Sequence, residues 1–383
     1  MAPFTDLDAY RSEFPVVEEQ LYFNHAGVAP TSRRAVAAIQ EWSEDLLRHG
    51  VRNERHWEAR AERVRAAAAR LIGAEAGEIT FVRNTGHGLG VVAEGLDWRP
   101  GDEVAVAASI EYPSNVYPWQ HLRDRGVSVR EIVPREGGVT PEAVAAALTP
   151  RTRLVSVSSV QFASGHRTDL DALGALCERA GVLFCVDGIQ SVGCIPVDVK
   201  KSRVHFLSAD SHKWMLGVSG IGFLYVAQDV LPRVRPVLVG WRSTTDLWNF
   251  NTPRFELKPD ATKFEEGSHA FTGIYALGAA LELLLEVGMD RVSERIRALL
   301  EHADTRLRDL GCDTGPSPEH RAGSLTFLPP GGDADIKALA THLKDNQVNF
   351  SVRRGRIRVS PHFYNQPAEL DRLVALVRGF SGR

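Results

Sequence analysis

Short apolar runs bounded by turn residues alternate with longer amphipathic stretches through the first two thirds of the chain. Uninterrupted apolar runs predict strands buried on both faces, and the amphipathic stretches predict helices. Strands are expected at 79–83, 103–107, 154–158, 182–186, 204–208 and 221–226. Helices are expected at 34–49, 56–72, 89–96 and 169–180, the last with Asp169 as N-cap. Turn signals fall between them, at Arg99-Pro100-Gly101-Asp102, Arg135-Glu136-Gly137-Gly138 and Ala180-Gly181. This alternation predicts an α/β fold with a mostly parallel sheet, and ligands at the carboxyl ends of its strands.

The pattern changes after Gly267. Two long helices are expected at 272–287 and 291–310, then a strand at 324–327, a helix at 333–344, a strand at 356–360 and a helix at 367–378. The boundary is placed near Gly288, where a helix stops and another starts. The expectation is a large domain over 16–288 and a small α/β domain over 289–383, with residues 1–15 packing on the small one. The stretch Trp241–Pro259 has little periodicity and reads as a long functional loop.

Composition narrows the class. A 383-residue chain, 44% hydrophobic and 24% charged, suits a soluble enzyme with a large core. A net charge of -3 with no basic face argues against a nucleic-acid partner. The four cysteines, Cys177, Cys185, Cys194 and Cys312, show no metal-type clustering and fit a reducing cytoplasm. The acidic start lacks the apolar core of a signal peptide, and no stretch reads as a membrane span.

The candidate chemistry lies where apolar runs end. Ser208-Ala209-Asp210-Ser211-His212-Lys213-Trp214 closes one run and places an amine between apolar segments. A partly desolvated lysine at such a point captures a carbonyl cofactor as a Schiff base. Asp187 closes the preceding run, and a carboxylate there favours a protonated pyridine nitrogen. The pair suggests pyridoxal 5'-phosphate. Gln190 and Gln161 are candidates for the ring oxygen, with ordinary loop polarity as the alternative for each. Asn84-Thr85-Gly86-His87-Gly88 opens a helix after a strand, which favours an anion such as the phosphate. A dinucleotide site is the competing reading, but counted from Gly86 the glycine pattern fails at Val91. Tyr112 is a candidate to stack on the ring.

Together, Asp187-x-x-Gln190 and Ser211-His212-Lys213, with the lysine 26 residues after the aspartate, resemble the class V aminotransferase family of fold type I pyridoxal-phosphate enzymes. The likeness extends from Leu21-Tyr22-Phe23-Asn24-His25 to Arg358-Val359-Ser360-Pro361. The family includes cysteine desulfurases, selenocysteine lyases and isopenicillin N epimerase. The resemblance implies a large domain with a mostly parallel, seven-stranded sheet and a small C-terminal domain. It implies Lys213 as Schiff-base lysine and Cα-proton carrier, Asp187 at the ring nitrogen, and Gln190 and Gln161 at the ring hydroxyl. It places Thr85, Gly86, His87 and His212 at the phosphate, Tyr112 on the ring, and Arg358 on the substrate carboxylate. Ser268 falls where a partner subunit reaches the phosphate, implying a homodimer with shared sites. Asn24, His25 and Arg242 are candidates for recognising the amino-acid side chain.

The chain departs from the family in three places. Desulfurases carry a nucleophilic cysteine just before the position of Arg358, whereas Val352-Arg353-Arg354-Gly355-Arg356-Ile357 is short and has none. Tyr112 replaces a histidine. Asp210 replaces a serine that helps hold the phosphate, so it is expected to turn away, pair with an arginine or contact His212. The family activity expected first is amino transfer, with epimerisation or β/γ-elimination as alternatives on the same scaffold. A non-catalytic cofactor-binding regulator is a more distant alternative.

Overall fold

The computed structural model describes residues 2–380 apart from 136, 253 and 331. Seven strands form the central sheet: β1 (Ile79–Val82), β2 (Glu103–Val106), β3 (Ser128–Glu131), β4 (Thr152–Ser158), β5 (Leu183–Asp187), β6 (Phe206–Asp210) and β7 (Gly222–Val226). Their order across the sheet is β3-β2-β4-β5-β6-β7-β1. Only β7 pairs antiparallel, with both its neighbours; the other pairings are parallel. The strands other than β3 are almost wholly buried, as their apolar runs require. Strand β3 is an exposed edge strand, and its residues Ser-Val-Arg-Glu are too polar to announce it. Strand order reverses between β2 and β4, so a crevice opens at the carboxyl ends there.

Helices cover the sheet. They include α1 (Arg33–His49), α2 (Glu54–Ile72), α3 (Thr85–Gly95), α4 (Leu170–Ala180), α5 (Phe271–Val287) and α6 (Met289–Asp309). The Ser32 hydroxyl caps α1 and the Asp169 carboxylate caps α4, accepting from Ala172 N–H at 3.0 Å. Helices α2 and α4 stop at Gly73 and Gly181, whose φ of 70° and 66° lie in the left-handed region. Helix α5 is buried nearly all round and packs on α1 and α2. At Gly288, φ 86°, the chain turns by 80° into α6.

The last third adds a four-stranded antiparallel sheet of β8 (Asp313–Gly315), β9 (Leu325–Leu328), β10 (Ser351–Arg353) and β11 (Arg356–Val359), in the order β10-β11-β9-β8. Helices α7 (Ile336–Asp345) and α8 (Pro367–Gly379) accompany it. Residues near the N-terminus reach this region. Phe14 stacks on Tyr364 with centroids 3.8 Å apart, Arg11 pairs with Glu369 at 3.0 Å, and Leu21-Tyr22 runs parallel to Val348-Asn349. Among the described residues no single helix is long and apolar enough to cross a membrane.

Candidate active site

A cavity of about 330 Å³ lies at the carboxyl ends of the central strands. Lys213 enters it three residues beyond β6. The turn that presents it is tight: Leu216 N–H donates to Lys213 O at 2.9 Å, with Leu216 at φ 61°. A side chain at Gly217 would meet Ser211 Oγ at 2.6 Å. The next residue, Trp214, is buried and fixed at both ends. Its indole N–H donates to Gln190 Oε1 at 2.8 Å, and its carbonyl accepts from His362 Nε2 at 3.0 Å. The lysine is thus held by a rigid neighbour while its own amine has no hydrogen-bonded partner among the described residues. Burial lowers the pKa of Lys213, and Arg358 adds to this, against the opposing pull of Asp187. Burial raises that of Asp187, despite a hydrogen bond from Ile189 N–H at 3.0 Å. The low-dielectric setting therefore pushes both groups toward their neutral forms.

Behind Asp187 sits a residue with no expected role. Glu111 is buried, accepts from Ser158 N–H at 2.7 Å and from Gln161 Nε2 at 3.0 Å, and is pushed up by burial. Its signal in sequence was a lone acid before Tyr112, indistinguishable from a loop carboxylate. Gln161 gives its N–H to Glu111 and leaves Oε1 buried without a partner. It does not line the cavity, whereas Gln190 does. Gln190 spends its carbonyl on Trp214 and an N–H on Ala26 O at 3.0 Å, so one N–H remains for a ring oxygen.

The expected anion cradle is the first turn of α3. The N–H groups of Thr85 and Gly86 have no intrahelical acceptor there, and both residues line the cavity with Ser114. His87 does not. Its N–H is taken by the Asn84 cap at 2.8 Å and its ring accepts from Arg83 N–H at 3.2 Å, so the expected role at the phosphate is not supported by its placement. Asp210 ends β6 against this helix, its N–H donating to Thr85 Oγ1 at 3.1 Å. Its Oδ2 lies 3.0 Å from His212 Nδ1, and its Oδ1 is buried without a partner. Of the three expectations for Asp210, contact with His212 is the one observed.

Tyr112 stands over the cavity, 48% exposed, edge-on to Phe162 and with its ring centroid 5.8 Å from Lys213 Nζ. Arg358 enters from β11. It is 1% exposed, one Nη donates to the carbonyl of Phe162, and Nε and the other Nη have no partner among the described residues. Burial lowers its pKa to about 9, helped by nearby Arg353.

Three expected recognition residues lie elsewhere. His25 is 0% exposed, with its ring nitrogens bound to Ser360 O at 2.8 Å and Tyr364 Oη at 2.6 Å. Arg242 is locked in a two-pronged pair with Glu58 at 2.8 and 2.7 Å. Asn24 bridges to Ser360 and packs under Gly27, outside the cavity lining. His25 and Arg242 are structural contacts because their polar atoms bind other elements, whereas Asn24 Oδ1 is buried without a partner among the described residues. Ser268 is exposed and lies outside the cavity of its own chain.

The donor set fits pyridoxal phosphate. An amine and a carboxylate line one cavity, a helix start offers N–H groups without intrahelical acceptors, and the cavity volume is of ligand size. The comparisons agree with that chemistry. The chain is 28% identical to a probable cysteine desulfurase of Methanothermobacter thermautotrophicus, over 99% of both chains. It is 29% identical to the uncharacterized aminotransferase YcbU of Bacillus subtilis, over 95% of both. A solved structure of the cystine C-S lyase C-DES with its product cysteine persulfide matches at TM-score 0.89 and 26% identity, over 96% of this chain and 99% of that one. A lysine-to-alanine mutant of C-DES, with glycine covalently linked to its PLP cofactor, matches at TM-score 0.90 and 25% identity, over 97% and 99%. The family model for aminotransferase class-V matches residues 21–373, and the chain belongs to that family.

Proposed function

We propose that this class-V, pyridoxal-phosphate-dependent enzyme is a lyase that eliminates a β-substituent from an amino acid. Bound in the cavity, the cofactor supplies the electron sink for a carbanion at the substrate Cα. The chain's residues do the rest. Lys213, its amine brought toward neutrality by burial, holds the cofactor aldehyde at rest and moves the Cα proton during turnover. Asp187 backs the ring nitrogen, with Glu111 and Gln161 behind it. The first turn of α3 and His212 hold the phosphate, and Tyr112 covers the ring face. Arg358 takes the substrate carboxylate on its two unpaired nitrogens.

One observation favours elimination over sulfur transfer to the protein: no protein thiol reaches the cavity. All four cysteines are buried, none lines it, and burial pushes Cys177 and Cys185 up to about 12. No cysteine follows Cys312, and the hairpin joining β10 to β11 turns in two residues, Arg354 and Gly355. Sulfur transfer to a loop thiol therefore has no acceptor. Elimination needs none, because the leaving group departs from the substrate's own Cβ. C-DES, a cystine C-S lyase, supports this reading. The test is a panel of amino acids carrying β leaving groups. Equimolar 2-oxo acid and ammonia are expected, and their absence with all of the panel would sink the proposal. The second reading, transamination, is supported by the likeness to YcbU. It predicts amino transfer to an added 2-oxo acid with the β-substituent retained.

We also propose a homodimer in which Ser268 completes the partner's phosphate site. The loop 241–259 supports it: Trp241, Trp248 and Phe250 cluster with centroids 5.4–6.3 Å apart, yet Trp248 and Phe250 are 55% and 66% exposed. That loop is fastened to the Ser268 segment, since Ser243 Oγ donates to Glu265 O at 3.2 Å.

A further inference from the structure

Strand alternation brings a second arginine to the carboxylate end of the cavity. In the hairpin of β10 and β11, Ser351 pairs with Arg358 and Arg353 with Arg356. Directly paired residues share a face, as do residues two apart on one strand. Arg353, Arg356 and Arg358 therefore project from the same side. Arg356 has a carboxylate partner: its guanidinium donates to Asp313 Oδ2 at 2.8 Å and to Asp313 O at 2.7 Å. Arg353 and Arg358 instead both line the cavity.

Neither has a carboxylate partner among the described residues. Arg353 donates only to the adjacent Val352 carbonyl, and Arg358 only to the Phe162 carbonyl. The two carboxylates that line the cavity pair with neither arginine: Asp187 accepts from Ile189 N–H, and Asp210 Oδ2 lies 3.0 Å from His212 Nδ1. Two same-sign guanidinium groups held on one face repel one another unless anions lie between them. The α-carboxylate of a substrate answers one. Among the described residues no carboxylate pairs with the other.

We propose that Arg353 and Arg358 form a clamp for amino acids with a second anionic group at the end of the side chain, such as a carboxylate or a sulfinate. This rests on the reading of Arg358 as the α-carboxylate residue and names the substrate class for that same site. The two-residue turn, with Arg354 and Gly355 at φ of 47° and 75°, fixes the register of the two strands that carry the arginines.

The test is calorimetric titration of the holoenzyme with succinate and with propionate, neither of which has an amine to react. Succinate should bind at least about tenfold more tightly, the worth of one charge-assisted hydrogen bond. Arg353→Gln should bring the ratio near one, Arg353→Lys should keep part of it, and Arg358→Gln should weaken both ligands. Unchanged circular dichroism would establish that Arg353→Gln still folds. Equal affinity for the two ligands in the unaltered holoenzyme, or an undiminished ratio in Arg353→Gln, would overturn the clamp. The underlying reading is checked separately by the visible absorbance of the lysine-bound cofactor. An intact band without dicarboxylate preference removes the clamp alone, whereas a missing band removes the reading beneath it.

Discussion

Arg242 and Arg358 are both buried arginines, 4% and 1% exposed, yet their partners make them opposites. Arg242 meets Glu58 with two hydrogen bonds. Arg358 meets one carbonyl and keeps two bare nitrogens. A paired charge is structural; a buried charge without a counter-ion is held for a ligand. Arg242→Met should therefore leave Glu58 with His269 alone and cost about 3 kcal/mol in urea denaturation. Arg358→Met should leave stability level or raised, while carboxylate binding is lost. Equal destabilisation by the two would erase the distinction. The same network sets a pH window. Burial would push Glu58 up, but hydrogen bonds from His269 and Arg242 outweigh it and hold its pKa at about 2. Its contribution is full above its ordinary 4.5 and is lost as pH falls toward 2. Burial would lower His269, but Glu265 and Glu58 outweigh it and raise it above 6.5. Its contribution is full below 6.5 and is lost as pH rises through the folded value. Melting temperature should peak between these limits, and His269→Asn should flatten the alkaline decline. An alkaline limb unchanged by that substitution would show that the network does not govern it.

At the level of elements, the apolar runs located the buried strands because burial on both faces leaves a plain signature. They misplaced β6 by two residues. Val204 and His205 extend the apolar run, but the pairing with β7 continues to Asp210 opposite Gly222. That shift puts Asp210 in the strand, against Thr85, rather than in a loop free to turn away. The edge strand β3 and the short β8 and β10 were not legible, since exposed or brief strands need no apolar pattern. The site was legible where chemistry demands a residue type at a strand end, as for Lys213 and Asp187. It was not legible where a residue's role depends on which way it faces, as for His25, His87 and Glu111. Glycines in α3 show the same limit. A Cβ at Gly86 would make only ordinary contacts, from 3.4 Å, whereas one at Gly88 would lie 2.2 Å from Ser208 Oγ. Gly88 thus serves the packing of α3 on β6. Gly88→Ala should lower the melting temperature of the cofactor-free protein, at a cost of about 1–3 kcal/mol. Gly86→Ala should leave it level or raise it, by up to about 1 kcal/mol of helix propensity. The opposite order would mean that Gly86 is the constrained position.

For the whole molecule, the exposed aromatics say more than the core does. A chain that buries this large a core has no need to leave Trp248, Phe250 and Phe255 in water, the last at 75% exposure. Val237, Leu238 and Val239 are exposed beside them in sequence. The loop is anchored at its base by the pairing of Thr244 with Leu257, so its apolar tip is held out rather than folded away. Its other anchor, Glu265, continues through Ser268, which on the dimer reading acts in the partner's site. Assembly and cofactor retention should then fail together. Sedimentation should give twice the 42.1 kDa chain mass for the unaltered protein. Trp248→Glu combined with Phe250→Glu should give a monomer with weakened cofactor binding, although both residues lie outside the cavity. Ser268→Ala should weaken cofactor binding in a protein that remains dimeric. A Trp248/Phe250 variant that stays dimeric, or a monomer with undiminished affinity for pyridoxal phosphate, would separate the exposed loop from the site and leave Ser268 as a plain surface residue.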